Sequence, residues 1–189
     1  MFEGKRSQAA MEFLMTYGWA MMVVLLALTA LAYFGVLNPT NLLPERCTFP
    51  VGLQCADHSV DPTANEVRFR IINGKGSGVI LYNLSITDSE GNFQGCTLDF
   101  TTAGACANTE IQGSSTKYCK DSDTDDGYND KTGLYLSSSD IAIVTIPCSE
   151  IADYESKARS DVHITWYYAD STPAFSHTET GELFALASS

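Results

Sequence analysis

The chain has 189 residues, 44% of them hydrophobic, and a formal net charge of −12. Glu3 and Glu12 offset Lys5 and Arg6 within the first 39 residues, so the whole acidic excess falls on the 150 that follow. That balance excludes a basic nucleic-acid-binding surface and suits a mutually repelling exterior facing salt or divalent cations.

A short basic leader opens the chain, and from Phe13 to Leu37 there are 25 residues without Asp, Glu, Lys, Arg or His. At ~1.5 Å per residue such a helix is about 37 Å long, enough to cross a bilayer. Signal peptides carry apolar runs of about 7–15 residues and a small-residue cleavage site, whereas this run is longer and ends in Gly35-Val36-Leu37-Asn38-Pro39. Lys5 and Arg6 on the N-terminal flank place residues 1–7 in the cytoplasm and everything after Pro39 outside. Ala20, Ala27, Ala30, Ala32 and Gly35 permit close approach of helices, while Leu25, Leu26, Leu28 and Leu31 supply bulk, a composition suited to a bundle. Glu12 is the exception, a carboxylate at the edge of the hydrocarbon that costs free energy unless it reaches water or a partner.

The run Lys5-Arg6-Ser7-Gln8-Ala9-Ala10-Met11-Glu12-Phe13 resembles the processing site of archaeal type IV-like pilins carrying a class III, prepilin-type signal peptide, and Met11-Glu12-Phe13-Leu14-Met15-Thr16-Tyr17-Gly18-Trp19-Ala20 is close to that family's helix start. The resemblance covers roughly residues 4–40, with Ser7 standing where the family often has Gly. It implies cleavage between Ser7 and Gln8 by a prepilin peptidase, an assembly platform and ATPase as further partners, and identical subunits in a helical filament. The expected division is a leader over 1–7, a transmembrane and filament-core helix over 8–39, and an extracellular domain over 40–189. Cutting before Gln8 creates an α-ammonium in an apolar setting, which Glu12 of a neighbouring subunit neutralises as subunits stack, with Phe13 alongside. A subunit added out of register leaves both charges unpaired, at a cost of about 3–5 kcal/mol, so Glu12 sets register.

After Pro39 the hydrophobic period changes to two. Glu66–Ile72 alternates before Asn73-Gly74 and Val79–Thr87 after Gly76-Ser77-Gly78, which reads as a hairpin or a neighbouring pair. Further strands are expected over Ile141–Ile146, Val162–Tyr168 and around Glu182–Leu186, with shorter ones over Thr97–Phe100 and Gly133–Leu136. Six or seven short strands with Gly-rich turns indicate a β-sandwich, of which the immunoglobulin-like arrangement is one form, so the fold class expected is α+β. Residues 102–133 are poor in apolar side chains and read as an exposed loop, and 148–160 as a second break.

All six cysteines, Cys47, Cys55, Cys96, Cys106, Cys119 and Cys148, fall on the exterior side, and an even number there argues for disulfides. Their spacing contains no Cys-x-x-Cys pair. Of the 15 connectivities that six cysteines allow, Cys47 with Cys55 closes a loop around Pro50-Gly52; Cys96 with Cys106 is also local and leaves Cys119 with Cys148.

Asp121, Asp123, Asp125, Asp126 and Asp130 lie within ten residues, and alternate carboxylates at 121, 123 and 125 are placed to converge on a structural Ca²⁺. The glycine of a D-x-D-x-D-G loop falls one place late at Gly127, and Thr132 stands where the bidentate Glu belongs, so a solvated acidic loop competes with the calcium reading. Asn83-Leu84-Ser85 is an N-glycosylation sequon, usable if Asn83 faces outward from its strand. His58, His163 and His177 are scattered, and no catalytic constellation emerges. The leading expectation is a structural pilus subunit supporting adhesion, membrane-inserted before assembly and extracellular after it. The alternatives are a minor pilin or anchored binding module cut by the same peptidase, and an unprocessed single-pass protein with an exterior binding domain.

Overall fold

The computed structural model describes residues 4–33, 43–112, 118–123, 125–126, 130–152 and 157–187. It divides into two units, Met1–Pro44 and Glu45–Ser189. Among its described residues the first holds one helix, α1 (Gly4–Tyr33), which runs unbroken through Ser7 and Gln8; residues 34–39 of the expected span lie outside the described residues. From Met11 to Tyr33 the described side chains are exposed, with Ala20 half-buried. Among the described side chains, Met11 to Tyr33, the apolar ones point to every side and leave no polar face to turn toward water. Thr16 and Thr29 return their hydroxyls to the carbonyls of Glu12 and Leu25, both at 2.7 Å, which removes two polar groups from an otherwise apolar surface.

The second unit is strand-rich. In chain order come β1 (Arg46–Thr48), β2 (Leu53–Asp61), β3 (Glu66–Asn73), β4 (Val79–Thr87), β5 (Phe93–Gln94), β6 (Thr97–Asp99) and β7 (Thr109–Gln112). They are followed by β8 (Cys119–Lys120), β9 (Asp125–Asp126), β10 (Gly133–Leu136), β11 (Ile141–Pro147), β12 (Glu150–Ile151), β13 (Ala158–Tyr168) and β14 (His177–Ala185). The larger sheet has the order β1-β14-β13-β4-β10-β8-β9, with β6 also on β4; the second has β2-β3-β11-β7, and β12 pairs β5 alone. Every pairing is antiparallel.

Alternation decides which face is buried. In β3, Val67, Phe69 and Ile71 are fully buried between half-buried or exposed Arg68 and Arg70, and in the neighbouring β11 of the same sheet Ala142, Val144 and Ile146 do the same. These rows join Val79, Leu81, Leu84, Val162, Ile164 and Leu183 of the larger sheet in one continuous core. Burying each of those larger side chains stabilises the fold by roughly 1.5–3 kcal/mol.

Two expectations about pairing fail. β3 and β4 are not a hairpin: β3 lies between β2 and β11, whereas β4 lies in the other sheet beside β13 and β10. The crossing is held by Asn73, fully buried, whose Nδ2 donates to the carbonyls of Ser77 (2.8 Å), Leu136 (3.0 Å) and Ser137 (3.0 Å) while its Oδ1 accepts from Lys75 N. A side chain that ties the turn to the end of β10 leaves no ladder between the flanking strands. Nor is 102–133 a single exposed loop. Ala105 and Cys106 are buried in a 3-10 turn over Ala105–Asn108, and β7 forms the edge of the second sheet against β11.

A β-bulge between Thr165 and Trp166 shifts the register of β13 against β4, leaving Tyr82 between the paired residues Asn83 and Leu81. Beyond it Trp166 points into the core. Tyr167 turns to the other face, joining Ile80 and Ala169 under Tyr82 and Tyr135. Trp166 closes one end of the core: Lys75 Nζ lies 3.7 Å from its ring centroid and donates to the Val51 carbonyl, and its Nε1 donates to Glu179 Oε2 at 3.2 Å. Gly133 begins β10 at φ 128°, where a Cβ would stand 2.4 Å from Ile80 Cγ2 and 2.5 Å from the Leu81 carbonyl oxygen, so only glycine fits.

Candidate functional site

Two regions carry the expected chemistry, the start of α1 and the cysteine-bearing loops. Ser7 and Gln8 lie inside α1, and their side chains fall outside the described residues. Glu12 is exposed, one turn before Thr16, and Phe13 stacks on Tyr17 at 4.6 Å between ring centroids while remaining 62% exposed. Within its unit, then, this end of the helix presents a carboxylate beside a bare aromatic pair.

The six cysteines form three disulfides. Cys47 joins Cys55, but Cys96 joins Cys148 and Cys106 joins Cys119, which corrects the local Cys96–Cys106 and residual Cys119–Cys148 pairings. The register of the smallest sheet explains the difference. Gln94 stands opposite Glu150 and Phe93 opposite Ile151, so stepping two residues along each strand brings Cys96 against Cys148. Cys106, in its 3-10 turn, meets Cys119 at the start of β8.

Among the described carboxylates of the acidic loop, Asp121 and Asp123 accept from backbone amides. Asp121 is buried at 4% exposure; its Oδ2 accepts from Cys106 N at 2.7 Å and its Oδ1 from Asp123 N at 3.1 Å. Asp123 Oδ1 accepts from Gly104 N at 2.9 Å. Both therefore cap backbone amides across the Cys106–Cys119 bond, tying residues 104–106 to 119–123. Asp125 and Asp126 pair with Lys120 and Cys119 in the β8–β9 ladder, and their side chains lie outside the described residues. Asp130 is exposed, with its Oδ1 3.9 Å from Lys120 Nζ.

Asn83 sits on the outward face of β4, half-buried, opposite Thr165 of β13 and Asp99 of β6. That is the orientation a glycan acceptor requires. His163 lies on the same outward side, with its Nε2 3.0 Å from Thr87 Oγ1 and its Nδ1 3.0 Å from Thr180 Oγ1, and His177 stacks against Trp166 at 4.8 Å.

Comparison with known protein families, curated proteins and solved structures gives no match.

One grouping escaped the sequence reading. A ring nitrogen of His58 and the sulfurs of Cys47 and Cys55 lie within 4.8 Å of one another. The Cys55-x-x-His58 spacing was the available signal. It carries little in a regular strand, where residues three apart face opposite sides.

Proposed function

We propose that the chain is a structural subunit of a type IV-like pilus of the archaeal kind, inserted in the membrane as a precursor and extracellular once assembled. The observation that carries this reading is α1: a 30-residue helix whose described side chains are almost all uncovered and whose apolar residues face every direction. From Met11 to Tyr33 it is 23 residues, about 35 Å, against a hydrocarbon thickness of about 30 Å. Such a surface demands a non-aqueous surrounding, supplied first by lipid and then by copies of the same helix. Glu12 separates a filament helix from a plain anchor, because a carboxylate at that depth is stabilised by the new α-ammonium of a neighbouring subunit cut before Gln8. The unit from Glu45 onward, read as a disulfide-stabilised β-sandwich of immunoglobulin-like form, faces outward and supports adhesion. Three disulfides suit that extracellular setting.

Shearing cells that express the chain and determining its N-terminal peptide by mass spectrometry tests this directly. A chain starting at Gln8, free or cyclised, in the released filaments supports processing and assembly. An intact Met1 found only in membranes overturns it in favour of an unprocessed anchored domain. Glu12→Ala is expected to insert and fold but to yield no filaments, and normal filaments from that variant would remove the register argument.

A further inference from the structure

The grouping of Cys47, Cys55 and His58 arises from an irregularity in β2. A register shift against β3 falls between Cys55 and Asp57, so Cys55 stands opposite Ile71 and His58 opposite Phe69. Ile71 and Phe69 are fully buried on one face of β3, so the extra residue, Ala56, brings Cys55 and His58 onto the same core-facing row. His58 is thus a polar residue in a row otherwise made of Leu53, Cys55 and Val60. Its Nε2 is buried without a hydrogen-bond partner, and the nearest carboxylate oxygen, Glu45 Oε2, is 3.7 Å away. A buried ring nitrogen in that position needs a partner.

We propose that this corner is a redox-gated metal site, closed while Cys47 and Cys55 are bonded and opened by their reduction to a Cys₂His set with Glu45 as fourth ligand, suited to Zn²⁺. Disulfide sulfur is a poor metal ligand and thiolate a strong one, so the covalent bond is the gate. Around tetrahedral zinc, with sulfur at about 2.3 Å and nitrogen at about 2.0–2.1 Å, ligand atoms stand roughly 3.3–3.8 Å apart. The 4.8 Å limit on the present separations is closed by small side-chain rotations once the sulfurs are free to part.

The steps balance. A small dithiol attacks the Cys47–Cys55 bond by thiol–disulfide exchange, supplying two electrons and two protons; it leaves as its own cyclic disulfide, and two protein thiols remain. Zn²⁺ then displaces the two thiol protons, and the imidazole of His58 and the carboxylate of Glu45 complete the set. This is the disulfide with both cysteines partly exposed: in each of the other two bonds at least one partner is buried, Cys96 at 3% beside partly exposed Cys148, and Cys106 and Cys119 at 4% and 0%.

The test uses the full chain in detergent micelles, treated with one equivalent of dithiol, freed of reductant without oxygen, and titrated with Co²⁺ as a spectroscopic substitute for Zn²⁺. The expected result is one Co²⁺ per reduced chain, with thiolate-to-cobalt charge-transfer and tetrahedral d–d bands, and none for the oxidised chain. His58→Ala should weaken binding at least about tenfold. Zn²⁺ should also protect Cys47 and Cys55 of the reduced wild-type chain from alkylation, located by mass spectrometry, a measurement that needs no variant to fold. Absent bands, equal binding by the oxidised chain, protection at other cysteines, or indifference to His58→Ala each overturns the proposal. None of these outcomes depends on whether the chain forms filaments.

Discussion

Removal of each disulfide in turn should rank their contributions by the length of chain that each closes. The sequence separations are 52 for Cys96–Cys148, 13 for Cys106–Cys119 and 8 for Cys47–Cys55. In the chain-entropy account these constrain the unfolded state by about 4.1, 2.9 and 2.5 kcal/mol at 25 °C. For a strand unit of this size each kcal/mol moves the melting temperature by roughly 2–4 °C, so Cys96→Ala with Cys148→Ala should lower it by about 8–16 °C. The other two pairs should cost about 5–12 °C each. Thermal unfolding of the full chain in micelles, followed by near-ultraviolet circular dichroism of the strand unit's aromatic residues, reads all three. The design also discriminates connectivities. With the Cys96–Cys106 and Cys119–Cys148 pairing, either of the two larger double variants would break both bonds at once, and the two would be equally and severely destabilised. Equal losses from those variants, or a smaller loss for Cys96 with Cys148 than for Cys47 with Cys55, would refute the assignment.

Asp121→Ala should cost about 1–3 kcal/mol in urea unfolding, because it strands the buried Cys106 amide, while Asp121→Asn keeps an acceptor and should cost less. Since Asp121 and Asp123 hold backbone amides, stripping the protein with EDTA should leave its melting temperature unchanged; a drop restored by Ca²⁺ would show that the loop closes on an ion after all. Asn73→Ala removes the partner of three carbonyls at the crossing between sheets, so a loss on the order of 2–3 kcal/mol is expected from denaturant unfolding. Burial, and then proximity to Tyr82, pushes the Tyr167 phenol up to about 12, and its hydroxyl donates to the Thr132 carbonyl. The native state therefore holds a proton that the unfolded chain has released above its ordinary value of 10, and stability should fall with rising pH between 10 and about 12, by up to ~1.4 kcal/mol per pH unit. Tyrosinate absorbance should show one phenol ionising near the top of that range, and Tyr167→Phe should remove the late step.

The sequence by itself determined which residues are buried and where the helix lies. Twenty-five residues without an ionisable side chain are a stretch long and apolar enough to cross a bilayer, and the alternation of Val67, Phe69 and Ile71 or of Ala142, Val144 and Ile146 assigns a strand and its buried face together. Strand limits such as Val79–Thr87 and Gly133–Leu136 follow from the same local pattern. Where the period is broken the strand disappears from view: β2 runs nine residues, yet its bulge spaces the core-facing positions Leu53, Cys55, His58 and Val60 by two, three and two.

Tertiary structure alone decided who meets whom. β3 and β4 are joined by a short turn and still belong to different sheets, because Asn73 is committed to the end of β10. Cys96 and Cys148, 52 residues apart, meet through the two-residue pairing of β5 with β12, which carries no period long enough to read. Asp121 and Asp123 became amide acceptors once residues 104–106 were folded against them. Local pattern records the face a side chain must turn to the core, since water acts on each residue where it stands; partner choice depends on contacts between distant segments, which exist only after the chain has closed on itself.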